Sequence, residues 1–334
     1  MSFEKEEMDV SKDEDVSMDD DDDDDAGDVD DKDNEDVDFD QETSSDSEDE
    51  EEEIDEEKQE SELLELRELV KADPYNYSKH LNYIGLAQKY ANLDHLRHGR
   101  QTMSEIFPLT EKLWLDWLRD ELKLLSLATE TKRDLSDLFE RAVNDYLSVM
   151  IWIEYIQYRM SIDLSLNAIE ELRNLFERAL SHCANHLPDG GLLWAAYVEV
   201  EQAKFMALIN NLNRNPNDDS KEKVLQEIEY ILKLYQRQLS IPLRRMQTVY
   251  DEYNEFCQQF KEYLPVNYND QFDLSVKTNF DQVIQQLKEC EVFEQELEDT
   301  SRSLETYKRY IRFEKEPTRV QCLYERAISK NSIE

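Results

Sequence analysis

Glycine and proline are scarce in this chain, which has 5 and 7 of them in 334 residues. So few breakers leave no glycine-rich phosphate loop and favour long helices over strands. The sequence also lacks an apolar run of about 18 residues and a basic start followed by an apolar stretch. We therefore expect an intracellular protein with neither a signal peptide nor a membrane as a partner.

Paired cysteines and metal-ligand clusters are lacking as well. Cys183, Cys257, Cys290 and Cys322 are widely spaced and form no CxxC pair, so no disulfide framework or zinc ribbon is indicated. His182 and His186 in SHCANH stand one helical turn apart, but no second ligand pair follows, and a helix end is the favoured interpretation. We expect no metal and no cofactor.

The sequence has few of the residue patterns that an enzyme active site requires. Hydrolysis or group transfer needs a nucleophile with a base, a metal cluster or a phosphate loop, and none of these patterns occurs. The enzyme-class alternative is a helical-repeat prenyltransferase subunit, which would need a catalytic partner chain. We predict that the protein is not an enzyme.

Acidic residues dominate the charge, with 80 Asp and Glu against 38 Lys and Arg and a net charge of -42. Residues 1–60 hold 34 acidic residues and 4 lysines, hence -30, and almost no apolar side chains. This composition predicts a disordered acidic tail over 1–60 and a folded body over 61–334. Such a tail attracts basic proteins such as histones through its field alone, or it only keeps the chain in solution.

The pattern of one amphipathic helix recurs several times in residues 61–334. LFERAV at Leu138, LFERAL at Leu175 and LYERAI at Leu323 have apolar residues at helical spacing, and LYQRQL at Leu234 is a degenerate copy. We call this element helix B. Its arginine recurs as Arg141, Arg178 and Arg326.

A second helix, helix A, precedes each copy and has two aromatic residues three positions apart. The pairs are Trp114 and Trp117, Trp152 and Tyr155, Trp194 and Tyr197, Tyr250 and Tyr253, and Tyr307 and Tyr310. Spacings of 38 and 42 residues separate Trp114, Trp152 and Trp194. This period predicts an all-α, right-handed solenoid of about six helical hairpins, in which the tryptophans are core residues rather than a ligand site.

A polar position also recurs seven residues after the first aromatic, at Glu121, Glu201 and Glu314. We expect Glu121 to pair with Arg141, and Glu314 with Arg326, between helices A and B of one repeat. The third repeat has Arg159 at this position, so Arg178 requires another partner.

An aromatic pair and Glu on helix A followed by an ERA-type helix B resemble the half-a-tetratricopeptide (HAT) repeat of RNA-processing proteins. RQTMSEIFPLTEKLWLDWLRDEL, LFERAVNDYL, IWIEYIQY and RQLSIPL further resemble the amino-terminal repeats of the U4/U6 snRNP recycling factor family over roughly 63–329. The resemblance implies a nuclear, non-catalytic scaffold in spliceosome recycling. Implied partners are snRNP proteins and ubiquitin-specific proteases, with U4/U6 snRNA contacted only indirectly, because the family's RNA recognition motifs are not in this chain.

Three further expectations concern the function, the fourth repeat and the last helix of the array. The alternative function is an acidic-tailed chaperone of histones or other basic proteins. Asn210 to Glu222 are predicted to be an insertion between the helices of the fourth repeat. The last helix B, with Val320, Leu323, Tyr324, Ala327 and Ile328 as its core face, has no following repeat, which predicts a fragment with an exposed apolar end.

Overall fold

The computed structural model describes residues 45–127, 134–163, 166–265, 268 and 270–331. These ranges contain thirteen α-helices, one 3-10 turn and no strand, so the predicted all-α class is confirmed. No helix in the described ranges is long and apolar enough to cross a membrane.

The helices follow one another with short connections. They are α1 (Ser45–Ala72), α2 (Tyr77–Lys89), α3 (Leu93–Ser104), α4 (Glu111–Leu127), α5 (Ser136–Ala142), α6 (Val149–Ile162), α7 (Leu166–Cys183), α8 (Gly190–Arg214), α9 (Asp218–Gln238), α10 (Met246–Gln259), α11 (Asp270–Asp299), α12 (Leu304–Phe313) and α13 (Pro317–Asn331). The 3-10 turn, Lys261–Tyr263, follows α10.

Successive pairs of helices form six helical hairpins, which we number as repeats one to six: α2–α3, α4–α5, α6–α7, α8–α9, α10–α11 and α12–α13. The first helix of each pair is helix A and the second is helix B. This is the predicted helical-repeat solenoid. We call the contact between one repeat and the next a repeat joint, so that joint one links repeats one and two.

Polar side chains mark where many of the helices begin. Asn76, Asn92, Ser148, Asn217 and Ser303 each accept a hydrogen bond from a backbone N–H in the first turn of the helix that follows. Such caps satisfy donors that have no partner inside the helix. They set the start of helices in four of the six repeats.

The core runs along the array as a chain of aromatic and aliphatic contacts. Trp114, Trp152 and Trp194 are each no more than 2 % exposed, as the core interpretation of these residues requires. Phe139, Phe176 and Phe205 are fully buried with them. Burial of this size stabilises each repeat only in contact with its neighbours, since two helices alone cannot cover such wide apolar faces.

The chain divides into two compact units, Met1–Glu57 and Lys58–Glu334. The first 44 residues of the predicted acidic tail lie outside the described residues. Residues 45–60 belong to α1, so the predicted boundary at residue 60 falls inside a helix. In the second unit, Glu60 Oε1 lies 3.0 Å from Nε2 of His95 on α3.

The predicted insertion in the fourth repeat is not a loop. Residues 210–214 complete α8, and residues 218–222 begin α9. Only residues 215–217 connect the two helices, and Asn217 caps α9 by accepting from Ser220 N at 2.7 Å. The sequence predicted that all these residues lie between the two helices, but most of them lengthen both helices of this hairpin.

Only some residues of the core face that the sequence predicted for α13 are buried. Leu323 and Ala327 are buried, whereas Tyr324 and Ile328 are 53 % and 52 % exposed. The apolar face of α13 is therefore only partly covered within the described residues.

Candidate functional site: the repeat joints

The arginine of helix B stacks over the first aromatic residue of its own helix A. The guanidinium carbon lies 5.7 Å from the ring centre of Trp114 for Arg141 and 5.5 Å from that of Trp152 for Arg178. Arg237 over Trp194 (5.1 Å) and Arg326 over Tyr307 (6.0 Å) repeat the arrangement. These are cation–π distances, and they make each arginine part of the hairpin.

The same arginines bind the preceding repeat. Arg178 donates to both carboxylate oxygens of Glu140 at 2.9 and 2.7 Å, Arg237 to those of Glu177 at 2.7 and 2.8 Å, and Arg326 to those of Glu294 at 2.7 Å each. Within an ER dipeptide the glutamate therefore contacts the following repeat and the arginine the preceding one. Bidentate pairs of this kind fix orientation as well as distance.

Ring stacking joins the repeats beside each of these ion pairs. Phe139 lies 4.9 Å from Tyr155, Phe176 lies 4.4 Å from Tyr197, and Phe293 lies 4.9 Å from Tyr310, with ring planes within 9° of parallel. In each case the ring of helix B meets the second aromatic of the next helix A. The repeated pattern of aromatic residues thus holds the hairpins together as well as forming the core within them.

Trp117, the second aromatic of repeat two, departs from this arrangement. It is 4 % exposed and stacks on Trp114 of its own helix, with ring centres 5.3 Å apart and planes 2° from parallel. The guanidinium of Arg141 lies 5.7 Å from the Trp117 ring centre as well. At the register position of Phe139 and Phe176, α3 has Arg100, so this position supplies no ring to stack on Trp117. Stacking within helix A therefore replaces stacking between repeats at Trp117.

The glutamate of helix A also points to the preceding repeat. Glu121 accepts from Nε and Nη2 of Arg97 on α3 at 2.7 and 2.6 Å, and Glu201 accepts from the same atoms of Arg173 on α7 at 2.7 and 2.6 Å. Glu121 is 4 % exposed and Glu201 is fully buried. Joints one and three therefore each contain a buried carboxylate held by an arginine.

The two ion pairs predicted from the sequence are wrong. Arg141 donates to the side chains of Gln101 and Ser104 on α3, at 2.9 and 2.5 Å, rather than to Glu121. Glu314 accepts from Arg319, five residues further along, and Arg326 binds Glu294. The physical reason is that one helix B touches two repeats, and its arginine reaches backward to the previous one.

Joint four differs from the others in its sequence. It has neither the residues for a Glu–Arg pair between successive helices B nor those for a pair between a helix A glutamate and an arginine of the preceding helix B. Gln236 and Gln295 stand at the register positions that carry Glu and Arg elsewhere. Leu232 and Cys257 stand at the positions that carry Arg173 and Glu201 in joint three. Tyr235 and Tyr253 still meet at this joint, but edge-on, at 5.7 Å and 64°. Aromatic and aliphatic packing replaces the ion pairs.

A buried group of four charges lies at joint three. Arg173 contacts Glu201 and also Glu227 at 2.8 Å, while Lys204 contacts Glu227 at 2.6 Å. Burial raises the pKa of Glu227 to about 7, and the neighbouring Glu201 adds to that rise. Burial opposes ionisation of Glu201 too, but hydrogen bonds from Arg173 keep the pKa of Glu201 below its usual value. Arg173 is therefore the group that allows two carboxylates to be buried together.

A known protein family accounts for almost the whole repeat array. The model of the family described as Suppressor of forked protein (Suf) matches residues 61–329. The chain belongs to the Suppressor of forked family. The match covers all six repeats except the last two residues of α13.

Several relatives of the chain have names that refer to RNA processing. It is 34 % identical over 276 residues to the human protein "Spliceosome associated factor 3, U4/U6 recycling protein", a match that covers 81 % of this chain and 26 % of the relative. The zebrafish (Danio rerio) protein of the same name is 30 % identical over 277 residues, 82 % and 28 % of the two chains. The predicted resemblance to the recycling factors is confirmed.

A more distant relative, "mRNA 3'-end-processing protein rna14" of Emericella nidulans, is 22 % identical over 197 residues, 57 % of this chain and 17 % of the relative. The chain spans about a quarter of the length of the recycling proteins that it matches. The chain is thus similar both to proteins named for U4/U6 recycling and to one named for mRNA 3'-end processing.

The basic cluster RHGR, Arg97 to Arg100, forms ion pairs at joint one of the Suf array. Arg97 binds Glu121, and Arg100, only 3 % exposed, donates to Asp120 at 2.7 Å. Both guanidinium groups are neutralised by carboxylates of α4. They are therefore not available as a basic patch for a nucleic-acid backbone.

His182 and His186 have separate structural roles in the Suf fold. The His182 ring lies 5.6 Å from that of Trp152, and its Nδ1 is 2.9 Å from the Arg178 carbonyl oxygen. His186 Nδ1 accepts from the Asp189 backbone N–H at 3.2 Å. Burial lowers the pKa of His186 to about 3, so that imidazole is neutral near pH 7.

The buried tryptophans Trp114 and Trp194 of the Suf repeats give a first prediction, because only one of the two has a partner for its ring nitrogen. Trp114 Nε1 donates to Asp145 at 2.7 Å, whereas Trp194 Nε1 has no acceptor within the described residues. Both substitutions to phenylalanine remove similar volume, but Trp114→Phe also removes a hydrogen bond to a carboxylate. We expect Trp114→Phe to cost about 1–2 kcal/mol more than Trp194→Phe in urea unfolding. Equal losses would mean that the Asp145 contact contributes nothing.

Proposed function

We propose that the chain is a non-catalytic protein-interaction scaffold in nuclear RNA processing, which acts in the reassembly of U4/U6 snRNPs. The observation that carries this proposal is the 34 % identity over 276 residues to a U4/U6 recycling protein. That match covers 81 % of this chain, and the Suf family match covers residues 61–329, so the relevant surface is a helical-repeat surface. Repeat arrays of this type present extended faces to which other proteins bind.

The organisation of the joints supports a scaffold role. The aromatic rings and arginines that recur along the sequence are used between hairpins, where they hold the relative orientation of successive repeats. Because these rings and arginines contact other residues of the array, partners bind the outer faces of the helices instead. Among the described residues, no group of three or more His, Cys, Asp or Glu side chains is arranged to hold a metal ion.

The partners proposed for this surface are snRNP proteins and ubiquitin-specific proteases, following the resemblance of the repeats to the recycling factors. Contact with U4/U6 snRNA is proposed to be indirect. The neutralisation of Arg97 and Arg100 by Glu121 and Asp120 supports this view, since these arginines are not free to bind phosphates. A nuclear location follows from the same proposal.

A second candidate function is an acidic chaperone of histones or other basic proteins. The observation that favours it is the composition of residues 1–60, with 34 acidic residues and 4 lysines. A segment of this charge attracts basic partners at long range, and the attraction falls steeply with salt. The two functions require different parts of the chain.

Affinity capture from nuclear extract separates these functions and is the second prediction. We expect the full chain and a variant that lacks residues 1–44 to retain U4/U6 snRNP proteins equally, because the repeats supply the surface. Mass spectrometry with isotope labels would measure the ratio of each bound protein. Retention only by the full chain, with loss at about 0.3 M salt, would favour the chaperone function instead. No enrichment of U4/U6 proteins over other snRNP proteins with either bait would contradict the scaffold proposal.

A further inference from the structure

An open groove lies at joint four, between helix A of repeat four (α8) and helix A of repeat five (α10). Its volume is about 530 Å³, which is within the range of clefts that hold a small ligand. Phe205 of α8 and Phe256 of α10 form an apolar floor and are almost completely buried. Met206, 42 % exposed, gives the groove a flexible apolar wall. Methionine adapts its shape to varied side chains.

Three carboxylates surround this floor. Glu199 of α8 and Glu252 and Glu255 of α10 line the groove and are exposed. None of the three forms an ion pair or hydrogen bond with another of the described side chains. The other glutamates of the joints are held by arginines, as Glu140 and Glu177 are. The groove therefore combines an apolar floor with a rim of negative charge that is not neutralised by a neighbouring cation.

Gln238 of α9 provides an independent observation. It lines the same groove and is only 2 % exposed, yet its carboxamide makes no hydrogen bond to the described part of the chain. The Gln238 amide atoms are not among the completely buried side-chain atoms that lack a partner in the described part of the chain, so they keep access to solvent, as a group that faces the groove does. By contrast, Gln202 nearby donates to the hydroxyl of Tyr235 at 2.9 Å. A carboxamide offers both a donor and an acceptor, which suits the N–H and C=O groups of a peptide backbone.

From these observations we infer that the groove between α8 and α10 is a docking site for a basic peptide segment of another protein. Lysine or arginine side chains of the segment lie against Glu199, Glu252 and Glu255. An aliphatic side chain between them packs on Phe205, Phe256 and Met206. The Gln238 carboxamide hydrogen bonds to the peptide backbone. This inference rests on the proposed scaffold function and names one of its contact points.

Charge decides between this occupant and others. A nucleic acid is repelled by three carboxylates, and so is the acidic segment 1–60 of the chain itself. Basic flanks around an apolar side chain satisfy both the rim and the floor. At joint four, Leu232 stands where joint three has Arg173, so the arginine that neutralises buried carboxylates at joint three has no counterpart here.

The test, our third prediction, measures binding of a short fluorescein-labelled peptide of alternating lysine and leucine to the full chain by fluorescence anisotropy. Measurements at about 0.15 M salt limit long-range attraction to the acidic segment. We expect Glu252→Gln with Glu255→Gln to weaken binding about fivefold, as loss of two exposed charge contacts predicts. The matched control is Glu289→Gln with Glu291→Gln on α11, which changes the net charge equally outside the groove, and its affinity should stay within about twofold of the unsubstituted chain.

Gln238→Leu distinguishes binding from folding. Because the carboxamide has no partner in the described part of the chain, the urea midpoint should not fall, whereas peptide affinity should fall about threefold or more from loss of a hydrogen bond. The inference is overturned if both double variants weaken binding equally, or if peptides with alanine for leucine or glutamate for lysine bind as well. It is also overturned if the chain self-associates and the groove variant alone is monomeric, since the occupant is then a second copy.

Failure of this inference and failure of the proposed function give different results. If the peptide does not bind but U4/U6 proteins are still captured, only the groove assignment is wrong. If the peptide binds in the groove but no U4/U6 protein is captured by either bait, the scaffold role in snRNP reassembly is wrong and the peptide site stands.

Discussion

Replacing Arg173 with methionine should lower the free energy of unfolding by about 3–5 kcal/mol, the fourth prediction. The substitution leaves Glu201, fully buried, without its bidentate partner, and it removes one of the two cations that contact Glu227. It also removes a guanidinium that lies 4.2 Å from the ring centre of Tyr230. Most of this loss comes from leaving a buried carboxylate without a partner in the variant. The ion pair itself contributes less to the stability of the unsubstituted chain.

Arg178→Met on the same helix is the matched control. Arg178 also makes a bidentate pair, with Glu140, and lies over a tryptophan, but both partners are well exposed, at 48 % and 38 %. Solvent screens such a pair, so we expect a loss of about 1 kcal/mol or less. Urea unfolding followed by circular dichroism would measure both. Equal losses for the two variants would show that burial of Glu201 does not determine the cost.

The pH dependence gives a second measure of the Arg173 variant. Without Arg173, burial dominates and the folded-state pKa of Glu201 rises above its unfolded value, as that of Glu227 already does. The folded state then binds protons more tightly, so its stability increases as pH falls through these raised values. The loss caused by Arg173→Met should therefore be larger at pH 8 than at pH 5. A loss that grows on acidification would contradict this account.

The fold could be predicted from the sequence because helical periodicity and the repeated aromatic pair are local signals. Trp114, Trp152 and Trp194 mark three helices A without knowledge of any neighbour, and the structure buries all three. Asn210 to Glu222 were misjudged for the same reason. Their polar composition is local, whereas the extension of α8 and α9 depends on packing between two long helices.

The partners of the repeated charges could not be obtained from one repeat. Glu140 and Arg178 are far apart in sequence, and nothing within either hairpin says that the arginine reaches backward. A signal does exist across repeats. At joint four, Gln236 replaces the glutamate of one repeat and Gln295 replaces the arginine of the next, whereas at joint one Gln101 replaces the glutamate and Arg141 keeps the arginine. Aligning successive repeats at an offset of one would therefore have given only a weak indication of the pairing.

The groove at joint four lay outside sequence reasoning altogether. Glu199, Glu252 and Gln238 belong to three helices and follow no shared spacing. Their significance depends on the lack of partners, which only the packed structure shows. From the sequence alone, the glutamates of the groove cannot be distinguished from other exposed glutamates on helices.

The stacking of Phe176 on Tyr197 allows the strongest test of how the repeats cooperate, the fifth prediction. Phe176 is fully buried, and its ring lies 4.4 Å from that of Tyr197 with the planes 3° apart. Phe176→Ala leaves a cavity at joint three, and we expect a loss of about 3–5 kcal/mol in the free energy of unfolding. Phe313→Ala, at a ring that is 40 % exposed, is the control and should cost much less.

Hydrogen exchange should locate the damage caused by Phe176→Ala. Repeat one contacts mainly its neighbour, whereas Asn185 after α7 also donates to Thr318 on α13 at 3.0 Å. Protection should therefore fall in α7 and α8, on the two sides of joint three, and persist in α2 and α3 of repeat one. Joint one has its own bridge, Glu121 with Arg97, which the substitution does not touch. Uniform loss of protection from α2 to α13 would mean that the second unit unfolds as one cooperative core, and that the joints do not act as separate links between repeats.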